Sequence, residues 1–280
     1  MVRDCAMEEY LDIAIRAVLA AGKKIMKIYN SNAYSTELKG DSSPLTDADK
    51  AGHEAIEKLL NQTKMPILSE EGKNIPFAVR ALWNTYWLVD PLDGTKEFIK
   101  RNGEFTVNVA LIEKDMPVLG VVYAPASAVM YFGTKIFKSS MIELDPFLNN
   151  TSGELIRNSI KIPLSMKRKF TVVGSRSHMT TETSEYIEKL KKESNADISV
   201  ASKGSSLKLC MIANGEADLY PRFAPTMEWD VAAGHAVIKF SGGNVVSYES
   251  RNELLYNKES LLNPWFIAYS RGAVNKLNIL

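Results

Sequence analysis

The sequence predicts a mixed α and β chain built in two halves, and three observations carry that expectation. A helix-period apolar pattern opens the chain, apolar segments joined by short turns fill its middle, and strand and helix patterns alternate from residue 170 onward. At 280 residues, 45% hydrophobic and 24% charged, the chain can bury roughly three quarters of its unfolded surface and needs neither disulfide nor structural metal to fold.

The elements follow in order. Leu11, Ala14, Ile15, Val18, Leu19, Gly22, Ile25, Met26 and Tyr29 recur at helical spacing, which predicts an amphipathic helix over about residues 7–30. A loop rich in Gly, Asp, Ser and Pro follows, and Thr46-Asp47-Ala48-Asp49 opens a second helix running to about Asn61. Met65 to Gly72 reads as a short apolar strand ending in the acids Glu70 and Glu71. Trp87 to Asp90 is a second apolar strand. Residues 105–112, 118–124 and 128–132 predict an antiparallel meander with turns near Lys114-Asp115 and Pro125-Ala126. Residues 134–165 mix charge, Asn and Ser with isolated apolar positions and suggest a junction, so the expected division is 1–145 and 146–280. Beyond it, strands near 170–174, 197–201, 217–220 and 244–248 alternate with helices near 181–192, 206–214 and 230–240.

Composition removes several function classes. A net charge of +1 gives no electrostatic footprint for nucleic acid polymers or an anionic membrane. Glu8, Glu9, Asp12 and Arg16 interrupt the first apolar pattern, and no run reaches transmembrane length. Cys5 and Cys210 are the only cysteines, which fits a reducing cytoplasm and makes neither a disulfide framework nor a zinc site. His53, His178 and His235 show no metalloprotease spacing. The first and last read as packing or surface residues, and His178, in Ser175-Arg176-Ser177-His178, as a substrate contact.

The chemistry concentrates at Trp87-Leu88-Val89-Asp90-Pro91-Leu92-Asp93-Gly94-Thr95. A buried strand delivers two carboxylates three residues apart into a tight turn, where a bound Mg²⁺ relieves their repulsion while using both charges. Pro91 fixes φ, Gly94 permits an unusual backbone angle, and Thr95 onward can begin a helix whose first N–H groups suit a phosphate oxygen. Alone, Pro-Leu-Asp-Gly is also ordinary turn chemistry. Likewise, Asp47 alone is a helix cap or first-turn dipole partner, and Asp230 in Glu228-Trp229-Asp230 alone caps the helix that follows.

Taken together, Ser69-Glu70-Glu71, then Asp90 to Thr95, then Trp229-Asp230 with Ala232-Ala233-Gly234 resemble the inositol monophosphatase superfamily of Mg²⁺-dependent phosphatases over almost the whole chain. The longer strings 87–108, 120–125, 175–178, 204–208 and 220–223 are similar to its CysQ-type 3'(2'),5'-bisphosphate nucleotidases. The resemblance implies a layered αβαβα sandwich of the sugar-phosphatase kind, with the site between the two halves. It also implies Mg²⁺, two ions and a third, weaker one near Glu70. Glu70, Asp90 and the Leu92 carbonyl would take the first ion, and Asp90, Asp93 and Asp230 the second, with Asp90 bridging. Thr95 and Asp47 would orient and deprotonate the attacking water, since a threonine hydroxyl is a poor base without a carboxylate behind it. Glu71 would orient metal ligands or their waters.

A bisphosphate nucleotide needs cations and hydrogen-bonding groups beyond the metal cluster. Arg176, Lys203, Lys208 and Arg222 are candidates, although basic residues are usually solvated surface. The resemblance assigns His178, Ser205, Lys208 and Arg222 to the nucleotide, with Gly94, Thr95 and Asp230 around the phosphoryl group. The implied substrate is 3'-phosphoadenosine 5'-phosphate, cleaved to AMP and phosphate, with lithium as inhibitor. Three alternatives stay open: an inositol monophosphatase with the same metal ligands, a sugar bisphosphatase, and a catalytically silent nucleotide or metal sensor. The chain would act as a monomer or a homodimer.

Overall fold

A computed structural model describes residues 4–31, 36–38, 44–145, 150–176, 179–193 and 197–273. Helix α1 (Asp4–Ser31) buries Leu11, Ala14, Ile15, Val18 and Ile25 and exposes Glu8, Glu9, Arg16, Lys23, Lys24 and Lys27, the one-sided pattern its 3.6-residue period requires. A two-stranded ribbon, β1 (Thr36–Leu38) with β2 (Pro44–Thr46), leads into α2 (Asp47–Leu60), which packs along α1.

A seven-stranded sheet lies beneath these helices. Its strands β3 (Ile67–Ser69), β4 (Thr85–Asp93), β5 (Thr106–Glu113), β6 (Met116–Ala124), β7 (Val129–Thr134), β8 (Lys138–Glu143) and β9 (Ile160–Lys161) stand side by side in chain order. Short helices α3 (Phe77–Arg80), α4 (Thr95–Ile99) and α5 (Ser152–Asn158) fill its connections. Only β3 and β4 pair in parallel; the rest is the expected meander, prolonged. The central strands are buried on both faces. Trp87, Val89, Val107, Val109, Leu119 and Val121 face α1 and α2, while Leu88, Ala110, Ile112 and Val122 face the opposite core. Strands β8 and β9 extend this sheet, so the division expected at 145/146 falls between two strands of one sheet.

The second half supplies three more layers. Strand β10 (Phe170–Ser175), helix α6 (Thr181–Glu193), β11 (Ile198–Lys203), α7 (Leu207–Asn214), β12 (Leu219–Arg222), α8 (Glu228–Ser241), β13 (Asn244–Ser247) and β14 (Phe266–Tyr269) complete the chain. The five strands order as β11-β10-β12-β14-β13, and β14, absent from the sequence expectation, enters antiparallel between β12 and β13. Helices α7 and α8 are sandwiched between the two sheets, and α6 covers the far face through Tyr186, Ile187 and Leu190. The layers thus run α, β, α, β, α as expected.

Helix α8 comes unusually close to the large sheet. A Cβ at Gly120 would overlap the Ala233 carbonyl oxygen and lie 2.7 Å from Ala236 Cβ, so only glycine lets the helix settle over β6. That close approach fixes the height of Asp230 at the helix start. Among the described residues no helix is long and apolar enough to cross a membrane.

Candidate metal centre and substrate cavity

Three backbone devices bring the acids together. The parallel register pairs Ser69 with Val89, and Glu70 N–H donates to the Val89 carbonyl at 3.1 Å, so Glu70 leaves β3 beside Asp90 in β4. In β4 the ladder then slips: Asp90 opposes Asn108 and Asp93 opposes Thr106, so β4 spends three steps where β5 spends two. Such a bulge re-aims side chains, and Pro91, which has no N–H to give the ladder, is tolerated there. Asp230 arrives from the other half, where its Oδ2 accepts the Met227 N–H at 2.8 Å at the start of α8.

The result is a carboxylate cluster. Ligand oxygens of Glu70, Asp90 and Asp230 all lie within 4.8 Å of one another. Asp93 joins it electrostatically: burial pushes the Asp90 carboxyl well above the usual carboxylate range, and the charges of Glu70, Asp93 and Asp230 add to that. Asp230 is likewise raised well above its ordinary value, by burial and then by Asp93 and Glu70. Burial raises Asp93 too, against the opposing pull of Lys208 and Ser206. Oxygen-only donors that repel one another at this range fit a hard divalent cation, with Glu70, Asp90, Asp93 and Asp230 as the residues able to hold it. The Leu92 carbonyl lies in the same turn and within 3.3 Å of the Thr95 hydroxyl, while Leu92 N–H donates to Asp90 Oδ1 at 3.0 Å.

Gly94 takes φ +92° just before α4, and Thr95 begins that helix. The Thr95 hydroxyl donates to Asp49 Oδ1 at 3.2 Å. Asp49 is buried, and its Oδ2 accepts both the Thr46 N–H at 2.8 Å and the Thr46 hydroxyl at 2.6 Å. The carboxylate behind the threonine is therefore Asp49, which corrects the expectation for Asp47. Asp47 occupies the first position of α2 with its side chain exposed, whereas Asp49, two residues on, turns inward toward Thr95. The signal was legible: Thr46-x-x-Asp49 has capping-box spacing, which directs the fourth residue's carboxylate back to the helix start.

The second-half residues expected to contact substrate, Ser205, Lys208 and Arg222, meet this cluster across one cavity of ≈ 250 Å³, lined also by Glu70, Asp93, Gly94, Thr95 and Asp230 among others. Lys208 is buried, donates to the Ser205 carbonyl at 2.5 Å, and is pushed down to about 8 by burial against the opposing charge of Asp93. Arg222 is buried too. One of its terminal nitrogens donates to the Pro225 carbonyl at 3.1 Å, while its buried Nε has no hydrogen-bond partner among the described residues. Glu71 is half-buried in the turn after Glu70. His178 lies outside the described residues. His235 is fully buried, bonded to Tyr256, Asn244 and Glu253, and serves packing as expected.

The side-chain roles of two residues escaped sequence reasoning. The Ser206 hydroxyl sits 2.6 Å from Asp93 Oδ2 and 2.8 Å from the Asp230 carbonyl, and Asn108 Nδ2 donates to it at 2.9 Å. Ser206 thus links the acids of the two halves. Its neighbour Ser205 drew attention instead, but Asn108 left a trace: it is a lone amide inside the apolar strand β5.

The model for the Inositol monophosphatase family matches residues 6–275. A curated relative from Salmonella typhimurium, described as 3'(2'),5'-bisphosphate nucleotidase CysQ, is 45% identical over 251 residues, covering 88% of this chain and 94% of its own. The Escherichia coli protein of the same description is 43% identical over 259 residues, covering 91% and 98%. The crystal structure of CysQ from Bacteroides thetaiotaomicron, titled a bacterial member of the inositol monophosphatase family, superposes with a TM-score of 0.84 at 47% identity, covering 94% of this chain and 97% of that one.

Proposed function

Because the chain belongs to the inositol monophosphatase family, we propose that it is a Mg²⁺-dependent 3'(2'),5'-bisphosphate nucleotidase that hydrolyses 3'-phosphoadenosine 5'-phosphate to AMP and phosphate in the cytoplasm. One observation carries the substrate reading: the buried cations Lys208 and Arg222 line the same cavity as the acidic cluster. A second phosphate would give Lys208 and the unpartnered Nε of Arg222 an anionic group of the substrate to bind, which a monophosphate held by the acidic cluster does not supply. The relatives described as 3'(2'),5'-bisphosphate nucleotidases support the same choice.

Phosphate monoester hydrolysis is among the slowest uncatalysed reactions, so this site must remove a very large barrier. Glu70, Asp90, Asp93, Asp230 and the Leu92 carbonyl would hold two Mg²⁺ ions, with a third, weaker ion near Glu70 and with Glu71 orienting the set. When bound, Mg²⁺ supplies Lewis acidity to the phosphoryl oxygens and acidifies water. The rest is done by the chain's own groups. Thr95 Oγ1 accepts a proton from the attacking water as its own proton moves toward Asp49 Oδ1, and Thr46 holds Asp49 in the acceptor geometry. Gly94, which lines the cavity, would present the turn's backbone to the phosphoryl group. Ser205, Lys208, Arg222 and His178 would orient the nucleotide so that its 3'-phosphate reaches the acids.

The test is phosphate release with Mg²⁺ from 3'-phosphoadenosine 5'-phosphate and from inositol 1-phosphate, each with and without lithium. A kcat/KM favouring the nucleotide, lowered by lithium, is the expected result. Preference for the inositol ester would keep the acidic cluster and withdraw the assignments at Ser205, Lys208 and Arg222. No Mg²⁺-dependent release from either ester would leave a sensing module.

A further inference from the structure

We propose that Glu104 is a positioning residue that latches the loop from Lys203 to Ser206 onto the N-terminal half and thereby sets substrate affinity without touching substrate. The proposal rests on the reading of Ser205 and Lys208 as the substrate side of the site.

Glu104 lies between α4 and β5 with its side chain 13% exposed. Its carboxylate receives a two-pronged bond from Arg176, Nε to Oε2 at 2.8 Å and Nη2 to Oε1 at 2.9 Å. Oε2 also accepts the Gly204 N–H at 2.8 Å, and Lys203 Nζ stands 3.5 Å from Oε1. Arg176 follows β10 and Lys203 ends β11, and Arg176 N–H donates to the Lys203 carbonyl at 3.1 Å. One carboxylate of the first half therefore gathers the ends of two strands of the second. Together these donors hold the Glu104 carboxyl below its ordinary value, even though burial works in the opposite direction.

The contact continues into the site. A Cβ at Gly204 would lie 2.9 Å from both the Glu104 carbonyl oxygen and Glu97 Cγ, so the loop backbone rests directly on this segment. Ser205 next adopts φ +42°, a conformation that costs a non-glycine residue energy and needs outside support. The supported carbonyl of Ser205 then accepts from Lys208 Nζ. Neither Glu104 nor Arg176 nor Lys203 is among the residues lining the cavity of the acidic cluster. The bases Arg176 and Lys203, candidates for substrate contact by sequence, instead act through Glu104 on the residues that face substrate.

The latch and the metal side are separable. Ser206 is held independently by Asn108, Asp93 and the Asp230 carbonyl, so loosening Glu104 frees Gly204 and Ser205 while leaving the acids in place.

The experiment compares Glu104→Gln, Arg176→Gln and the double variant with the wild-type protein in Mg²⁺. Each is assayed on whichever of the nucleotide bisphosphate and inositol 1-phosphate the wild type prefers. Amide exchange at residues 203–206 is followed in parallel. The expected result is a KM raised about five- to tenfold with kcat within twofold in each single variant. Exchange at Gly204 and Ser205 should be faster, and the double variant should be no worse than the worse single one, as for two partners of one interaction. An unchanged KM, a fall in kcat alone, or additive losses in the double variant would overturn the latch. Wild-type preference for the inositol ester would defeat the nucleotidase reading instead, and the latch would then be judged on that ester.

Discussion

The Thr95 hydroxyl bonds Asp49 Oδ1 at 3.2 Å, and the two residues reach each other from the starts of two different helices. Asp49 is already tied to Thr46 through its other oxygen, so the acceptor is fixed before any substrate arrives. Asp49→Asn keeps the shape but removes the proton acceptor. It should lower kcat by about 10²–10⁴-fold, the usual worth of a general base. Asp47→Asn, on the exposed side of the same turn, should leave kcat within about twofold. Steady-state phosphate release from the two variants decides between the carboxylates.

Asp90 is the most deeply buried acid of the cluster, 1% exposed and surrounded by three others. Asp90→Asn should abolish turnover and leave the circular dichroism spectrum unchanged. Added Mg²⁺ should raise the melting temperature of the wild-type protein, as for any ligand that binds only the folded state. In Asp90→Asn most of that rise should vanish. Substantial Mg²⁺-dependent activity in the variant would remove Asp90 from the metal site.

Lys208 lines the cavity as a buried cation. Lys208→Met preserves most of the side-chain volume and deletes a charge-assisted hydrogen bond worth about 1.5–3 kcal/mol. The kcat/KM for 3'-phosphoadenosine 5'-phosphate should fall by roughly ten- to a hundredfold, and that for inositol 1-phosphate by much less. Equal losses on the two esters would assign Lys208 to the acidic cluster rather than to a second phosphate.

Gly120 is a packing constraint remote from catalysis. Gly120→Ala drives a methyl group into the Ala233 carbonyl oxygen and against Ala236, where α8 lies on β6. The cost should be about 1–3 kcal/mol, typical of overpacking a tight core. Urea unfolding measures it, and a loss of only a few tenths would mean that α8 can ride up on the sheet at little expense.

Glu253 gives a pH signature away from the site. Burial opposes its ionisation, but hydrogen bonds from His235 and Lys239 win and hold it at about 2, below the 4.5 of an unperturbed glutamate. A depressed carboxylate stabilises the fold above its unfolded value, and that contribution fades as pH falls from 4.5 toward 2. The urea midpoint of the wild type should therefore exceed that of Glu253→Gln at pH 6, with the gap closing through that acid window. A constant gap would show that the carboxylate's charge is not what stabilises this corner.

Much of the site was legible because its signals are local. The Asp-Pro-Leu-Asp-Gly-Thr run contains its own strand end, bulge and helix start, and the acids at Glu70 and Asp230 also sit at element ends that periodicity finds. The choice of Asp47 over Asp49 failed because two acids with a single residue between them share a composition signal, and only the helix's rotation separates them. Within residues 134–165, strands β8 and β9 escaped the sequence reading for a related reason. Strands β8 and β9 lie at the edge of the sheet, where Lys138, Met141, Glu143 and Ile160 need not be buried, so the two-residue alternation of a half-buried strand is blurred.

By itself the sequence determined most of the elements and the turn that carries Asp90 and Asp93, since hydrophobic period and turn chemistry act over a few residues, while the family resemblance grouped those acids with Glu70 and Asp230. The tertiary structure alone decided which side chains meet across about a hundred positions of chain. Examples are Ser206 with Asp93, Glu104 with Arg176 and Gly204, and the buried cations with the acids. Those meetings depend on the height of α8 over β6 and on how the second half docks on the first. Both are set by close packing of many side chains at once, which no local stretch of sequence encodes.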